Sequence, residues 1–153
     1  MAGANNFPKL HNAMWPGLIG RGSADIPALS LDTMIDLTVK AEVNGVKFDG
    51  IDIGHFAPHT NIDFTDDEVK KLAAKAKKHN LNIASFVAPV WPPVGGGSAM
   101  GSASDRKKFV ANVEKSCKLG ARLRELGVRP YCVVRIDSAT STAECAKDPV
   151  RNT

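Results

Sequence analysis

Phe48-Asp49-Gly50-Ile51-Asp52-Ile53-Gly54-His55 is a short apolar run with an acid at its centre and a histidine at its end. Successive side chains of a strand point to opposite faces, so Ile51 and Ile53 share one side and Asp52 takes the other. A carboxylate in such a place is costly to bury unless a partner awaits it. Upstream, Ser30 is a plausible N-cap, and Leu31, Met34, Ile35 and Val39 follow at helical spacing. Asn44-Gly45 supplies a left-handed stop, which predicts a helix over 31–43. Downstream, Thr65-Asp66-Asp67-Glu68 spells a capping box, with acids at the positive end of the helix it opens. Val69, Leu72, Ala73 and Ala76 form its buried stripe, and His79-Asn80 ends it.

The same rhythm continues outward. Residues 81–87 read as a nearly continuous apolar strand, the pattern of a strand covered on both faces. Residues 89–104 hold Trp91, three prolines and Gly95-Gly96-Gly97, a long loop of the kind that is usually functional or mobile. No Gly-Lys-Ser/Thr follows, so a phosphate-cradling P-loop is not indicated. Ser102 or Ser104 caps a helix over 105–126, faced by Phe109, Val113, Cys117, Leu119, Leu123 and Leu126 and closed by Gly127. Residues 130–137 make a fourth strand, and Ser141-Thr142-Ala143-Glu144 announces another helix. At the other end, residues 9–15 are the candidate first strand, with Trp15-Pro16-Gly17 as a turn. Strands alternating with helices place the chain in the α/β class, as one domain over 1–153 with a parallel sheet and right-handed crossovers.

Composition narrows the function classes. The 153 residues are 43% hydrophobic and 24% charged, close to globular averages, and no apolar run reaches the roughly 20 residues of a membrane helix. Net charge is +4, with basic residues spread along helices as a solvated face, so neither nucleic acid nor membrane is an expected partner. Cys117, Cys132 and Cys145 have no metal-ligand spacing and read as idle thiols in a reducing compartment. With no secretory signal at the N-terminus, a cytoplasmic location is expected.

In parallel α/β folds, ligands gather beyond the carboxyl ends of the strands. Those ends bring forward Trp15, His55, Trp91 and Asp137 as substrate-binding candidates, since indoles beside a few polar groups suit a sugar or similar polyol. Each has a structural alternative: the tryptophans as lids on the core, His55 held by a loop, Asp137 as a cap acceptor. His11, within its strand, reads as a structural hydrogen-bonding group. No catalytic residue is singled out. His11, His55, His59 and His79 form no HxxxH, no carboxylate pair has diagnostic spacing, and no metal site is assigned. For Asp52 the expected partner is Arg135, on the polar side of the fourth strand, as an ion pair or shared polar network inside a barrel.

Gly45-Val46-Lys47-Phe48-Asp49-Gly50-Ile51-Asp52-Ile53 is also similar to the second-strand motif of the sugar phosphate isomerase/epimerase family, the xylose-isomerase-like TIM barrels. There the pattern G-(F/V)-(D/E)-(G/A)-(I/V)-(E/D)-(I/L) is common. The capped helix, the strand Leu81-Asn82-Ile83-Ala84-Ser85-Phe86 and the helix before Gly127-Val128-Arg129-Pro130 fit the family too, so the resemblance covers roughly residues 9–138. It implies an eight-stranded barrel, a divalent metal in the full-length family, and proton transfer beside a sugar carbonyl. The family's metal ligands come from strands five to eight, whereas this chain shows about four β/α units of an incomplete TIM-type barrel. A full barrel takes about 250 residues. The expected function is therefore the N-terminal half of such a barrel, supplying substrate-pocket walls from Trp15, His55 and Trp91, holding no metal or other cofactor itself and inactive alone. The alternatives are a homodimer of paired half-barrels acting as a non-catalytic binding or assembly module, and a small open α/β domain.

Overall fold

The computed structural model describes residues 9–13, 29–90, 95–131 and 133–136. In chain order the elements are β1 (His11–Ala13), α1 (Leu31–Lys40), β2 (Glu42–Val43), β3 (Val46–Lys47), β4 (Gly50–Gly54), α2 (Asp66–Lys78), β5 (Asn82–Val87), α3 (Ala103–Glu125) and β6 (Val133–Arg135). Trp15, Trp91, Cys132, Asp137, the Trp15-Pro16-Gly17 turn and the 141–144 capping sequence lie outside the described residues.

Four strands form one parallel sheet in the order β1-β4-β5-β6, the order in which the chain visits them. Sequential parallel strands wind in one sense, which lays the crossover helices on a single face. The core bears this out. Met34 and Ile35 of α1, Leu72 of α2 and Leu123 of α3 join Ile51, Ile53, Ile83 and Phe86 of the sheet in one buried cluster. The protein is thus α/β with a singly wound parallel sheet, consistent with an incomplete barrel-like fold. The side of the sheet turned from the helices is called its far face below.

Helix ends follow the capping chemistry. In α2, the Glu68 amide donates to the Thr65 hydroxyl at 3.3 Å and the Thr65 amide donates back to the Glu68 carboxylate at 2.8 Å. The same reciprocal pair joins Ser102 and Asp105, so α3 begins at Ala103 and not at the expected 105. Asn44-Gly45, expected to stop a helix, instead forms the tip of an antiparallel β2–β3 hairpin, and α1 ends at Lys40. Both tip residues have positive φ, 52° and 80°, the geometry of the two-residue hairpin turn that Asn-Gly favours.

Below the strands, Asp49 ties three of them together. Its carboxylate accepts from the Leu10 amide at 2.9 Å and from Lys9, and its carbonyl accepts from the Asn82 amide. The hydrogen bond from the Leu10 amide is the first reason the carboxyl's pKa is lowered. The fourth strand is anchored by Arg129, which is 3% exposed. Its Nε donates to the Tyr131 carbonyl at 2.9 Å and an amino group to the Val133 carbonyl at 2.5 Å, while the guanidinium lies 4.4 Å above the Phe86 ring.

Gly50 sits where β1, β4 and β5 crowd together: a Cβ there would collide with the Asn82 carbonyl and the His11 ring. Gly45 has the opposite profile, open space around it but a positive φ. Gly50→Ala should therefore cost about 2–3 kcal/mol by overpacking against backbone, against about 1 kcal/mol for Gly45→Ala. Urea denaturation of the two variants checks this, and equal midpoints would contradict it.

Candidate functional site

Strand alternation sorts the sheet's side chains. Asn12 pairs with Ile51, and its amide donates to the Thr38 hydroxyl of α1 at 2.8 Å, so both belong to the helix side. His11, Ala13 and Asp52 consequently take the far face. On β6, Val134 pairs with the buried Phe86, which turns Val133 and Arg135 to the far face as well. His11 and Tyr131 meet edge to face at the lower end, with centroids 5.7 Å apart. Asp52 and Ser85 lie midway, and Arg135 lies level with Gly54 and Val87 at the carboxyl end, where a barrel keeps its active site.

Asp52 has a partner that the sequence did not disclose. Ile51 pairs with Ile83 but Ile53 with Phe86, so β5 carries one extra residue opposite Asp52. Such a bulge leaves a strand amide outside the ladder. Here it is the Ser85 amide, which donates to the Asp52 carboxylate at 3.1 Å. Arg135, the partner expected from sequence, projects from the same face, is exposed, and is separated from β4 by the whole of β5. Nothing in the spacing of β5 flagged the bulge.

His55 is 1% exposed and turns to the helix side, its Nδ1 2.8 Å from the Ser116 hydroxyl of α3 and its ring 6.3 Å from that of Phe86. The loop after it folds back on the strand end. The Gly54 amide donates to His59 Nδ1 at 2.8 Å, and the Thr60 hydroxyl donates to the Gly54 carbonyl at 3.0 Å. His59 is buried as well, and burial pushes the pKa of each ring from its usual 6.5 down to about 4. For His55 the nearby Asn61 carbonyl and Asp63 carboxylate oppose the shift without overcoming it. Both rings are neutral at pH 7, and His59 must be so for Nδ1 to accept. Of the four substrate-binding candidates, His55 alone falls within the described residues.

Past β5, Gly95, Gly96 and Gly97 of the Gly-rich loop all have positive φ. Buried Asn112 of α3 holds it by donating its side-chain amide to the carbonyls of Pro89, Gly95 and Gly96. Asn112 and Ser116 therefore organise the carboxyl ends of the strands from outside the strands, and Arg129 the start of β6; only their polarity among apolar neighbours could have signalled it. Among the described residues, no group of three or more His, Cys, Asp or Glu is placed to hold a metal ion. No helix of the described residues is long and apolar enough to cross a membrane. No family model, curated protein or solved structure matches the chain.

Removing the acceptor at the bulge should destabilise: Asp52→Ala should cost about 1–3 kcal/mol in chemical denaturation, with Asp52→Asn milder because its carbonyl still accepts. If Asp52→Ala were neutral, the carboxylate would not be what satisfies the bulge. Arg135→Met in the same assay reads whether Arg135 shares in that support.

The buried histidines set a pH window. Folded His55 and His59 bind fewer protons than the unfolded chain, so their contribution is complete above pH 6.5 and is lost as pH falls from 6.5 through about 4. Full loss is about 3 kcal/mol for each ring. Nuclear magnetic resonance titration should show neither ring protonating above about pH 5 in the folded protein; a midpoint near 6.5 for either would contradict its burial as the cause.

Proposed function

We propose that the far face of the β1–β4–β5–β6 sheet is a wall of the substrate pocket in a barrel similar to the sugar phosphate isomerases and epimerases, with these β/α units as its N-terminal half. The observation that supports this is the division of side chains across the sheet. Ile51, Ile53, Ile83 and Phe86 go to the helices, whereas His11, Asp52, Ser85 and Arg135 go to the far face. An acid and a guanidinium on one face of the sheet suit a barrel interior that handles a polyol phosphate. The Asp52 carboxylate keeps acceptor capacity beyond the Ser85 amide for a sugar hydroxyl. Arg135, at the carboxyl end, suits a phosphate.

In this reading the described residues bind and orient. Trp15, Trp91 and Asp137 follow β1, β5 and β6 in sequence and are candidates for completing the pocket. The divalent metal that the family resemblance implies has no matching group of ligands among the described residues.

The test is titration of ribulose 5-phosphate into isotope-labelled protein. Saturable shifts should appear at the amides of Gly54, Ser85 and Arg135, and Asp52→Ala should weaken binding by about tenfold, the worth of one hydrogen bond to a charged group. Absence of binding at millimolar sugar, or shifts confined to the helix side, would overturn the proposal.

A further inference from the structure

On the helix side, away from the far face, a cleft of about 440 Å³ opens between the loop after β4, the start of α2 and the middle of α3. Its floor includes the buried His55 ring, and its apolar wall comes from Ile62, Phe64, Val69 and Leu119. Lys115, Lys118 and Arg122 of α3 stand at the rim with Asp63 and Asp66.

Charge at that rim is unbalanced. Lys115 pairs with Asp63, and Arg122 donates to Asp66 through Nε at 2.6 Å. The hydrogen bonds from Arg122 and Lys70 hold the Asp66 carboxyl down to about 2, so that acid stays ionised and occupied throughout the ordinary pH range. That uses two of the three cations. Lys118 is exposed and has no ion pair among the described residues. The wider field has the same sign, since α3 carries seven Lys or Arg against three Asp or Glu.

At the floor, His55 spends Nδ1 on the Ser116 hydroxyl, and its buried Nε2 completes no hydrogen bond of normal geometry, with the Asn61 carbonyl nearby. Buried polar atoms are normally satisfied, and one left alone costs free energy that a ligand atom would recover. A concave apolar wall, one unsatisfied polar atom and one unspent cation are the parts of a small-molecule site.

We propose that this cleft binds a small amphipathic anion, a carboxylate or phosphate monoester with an aromatic or alkyl body, seated on Phe64 and Leu119 with its charge beside Lys118. The apolar body replaces water over the wall, Lys118 supplies the counter-charge that Asp63 and Asp66 do not consume, and His55 Nε2 takes a hydrogen bond from or to the ligand. This site is independent of the far-face pocket, since the sheet lies between them.

Phenyl phosphate, benzoate and phenol are the probes, followed through the methyl signals of Val69 and Leu119 and the ring signals of His55. Phenyl phosphate or benzoate should shift them saturably, and the tighter of the two identifies the anion. Lys118→Glu, an exposed change that leaves the core untouched, should weaken both by about tenfold, with little effect on phenol. No saturable shift at the cleft, unchanged affinity in Lys118→Glu, or phenol binding as tightly as phenyl phosphate would each overturn the proposal. Shifts confined to Gly54, Ser85 and Arg135 would also overturn it while leaving the far-face pocket standing.

Discussion

One hydrogen bond, from the Ser85 amide to the Asp52 carboxylate, determines how the sheet is built. Ile83 and Phe86 are three positions apart, so in a regular strand they would face opposite ways. The extra residue in β5 corrects the parity and brings both into the core beside Ile51 and Ile53. It also expels an amide from the ladder, and an amide buried without a partner is not tolerated. Asp52 resolves the conflict from the neighbouring strand. The acid that looks misplaced between two isoleucines is what allows the next strand to present both an isoleucine and a phenylalanine to the helices.

The upper end of the sheet depends on groups drawn from outside the strands. Gly54, the last residue of β4, has its amide taken by His59 and its carbonyl by Thr60. β5 ends against Asn112, which gathers three carbonyls from the loop that follows. At the opposite end, the start of β6 hangs on Arg129, whose guanidinium rests on Phe86 and reaches the carbonyls of Tyr131 and Val133. Gly120 of α3 makes room for that guanidinium, because a Cβ there would come within 3.1 Å of its Cζ. The core thus admits neutral histidines, an asparagine and an arginine, and each is held by hydrogen bonding or stacking.

This division of labour separates two surfaces of possible recognition. The far face collects polar side chains by strand parity, and the barrel-like winding gives them a common direction. The cleft between α2 and α3 arises from helix packing around the loop after β4, and His55 belongs to that side although it directly follows β4. A strand-end histidine need not look out of the mouth of the sheet; the alternation that sends Ile51 and Ile53 inward sends His55 the same way.

The sequence by itself determined the α/β class, the alternation of the four parallel strands with the three helices, the Ser30 and Thr65 helix starts and the stripe of α2, because all of these depend on neighbours within a few residues. Thr65 through Glu68 and Val69 through Ala76 carry their instructions locally. Asn44-Gly45 was locally ambiguous, since a left-handed pair serves a helix stop and a hairpin equally well, and the strands on either side chose the hairpin. What only the tertiary structure decided was pairing across the sheet and between layers: the bulge opposite Asp52, the Ser116 partner of His55 and the three carbonyls on Asn112. A hydrogen bond between residues 33 or 61 positions apart leaves no periodicity in the chain. It comes into being when the strands settle into register, and register is set by the whole core at once.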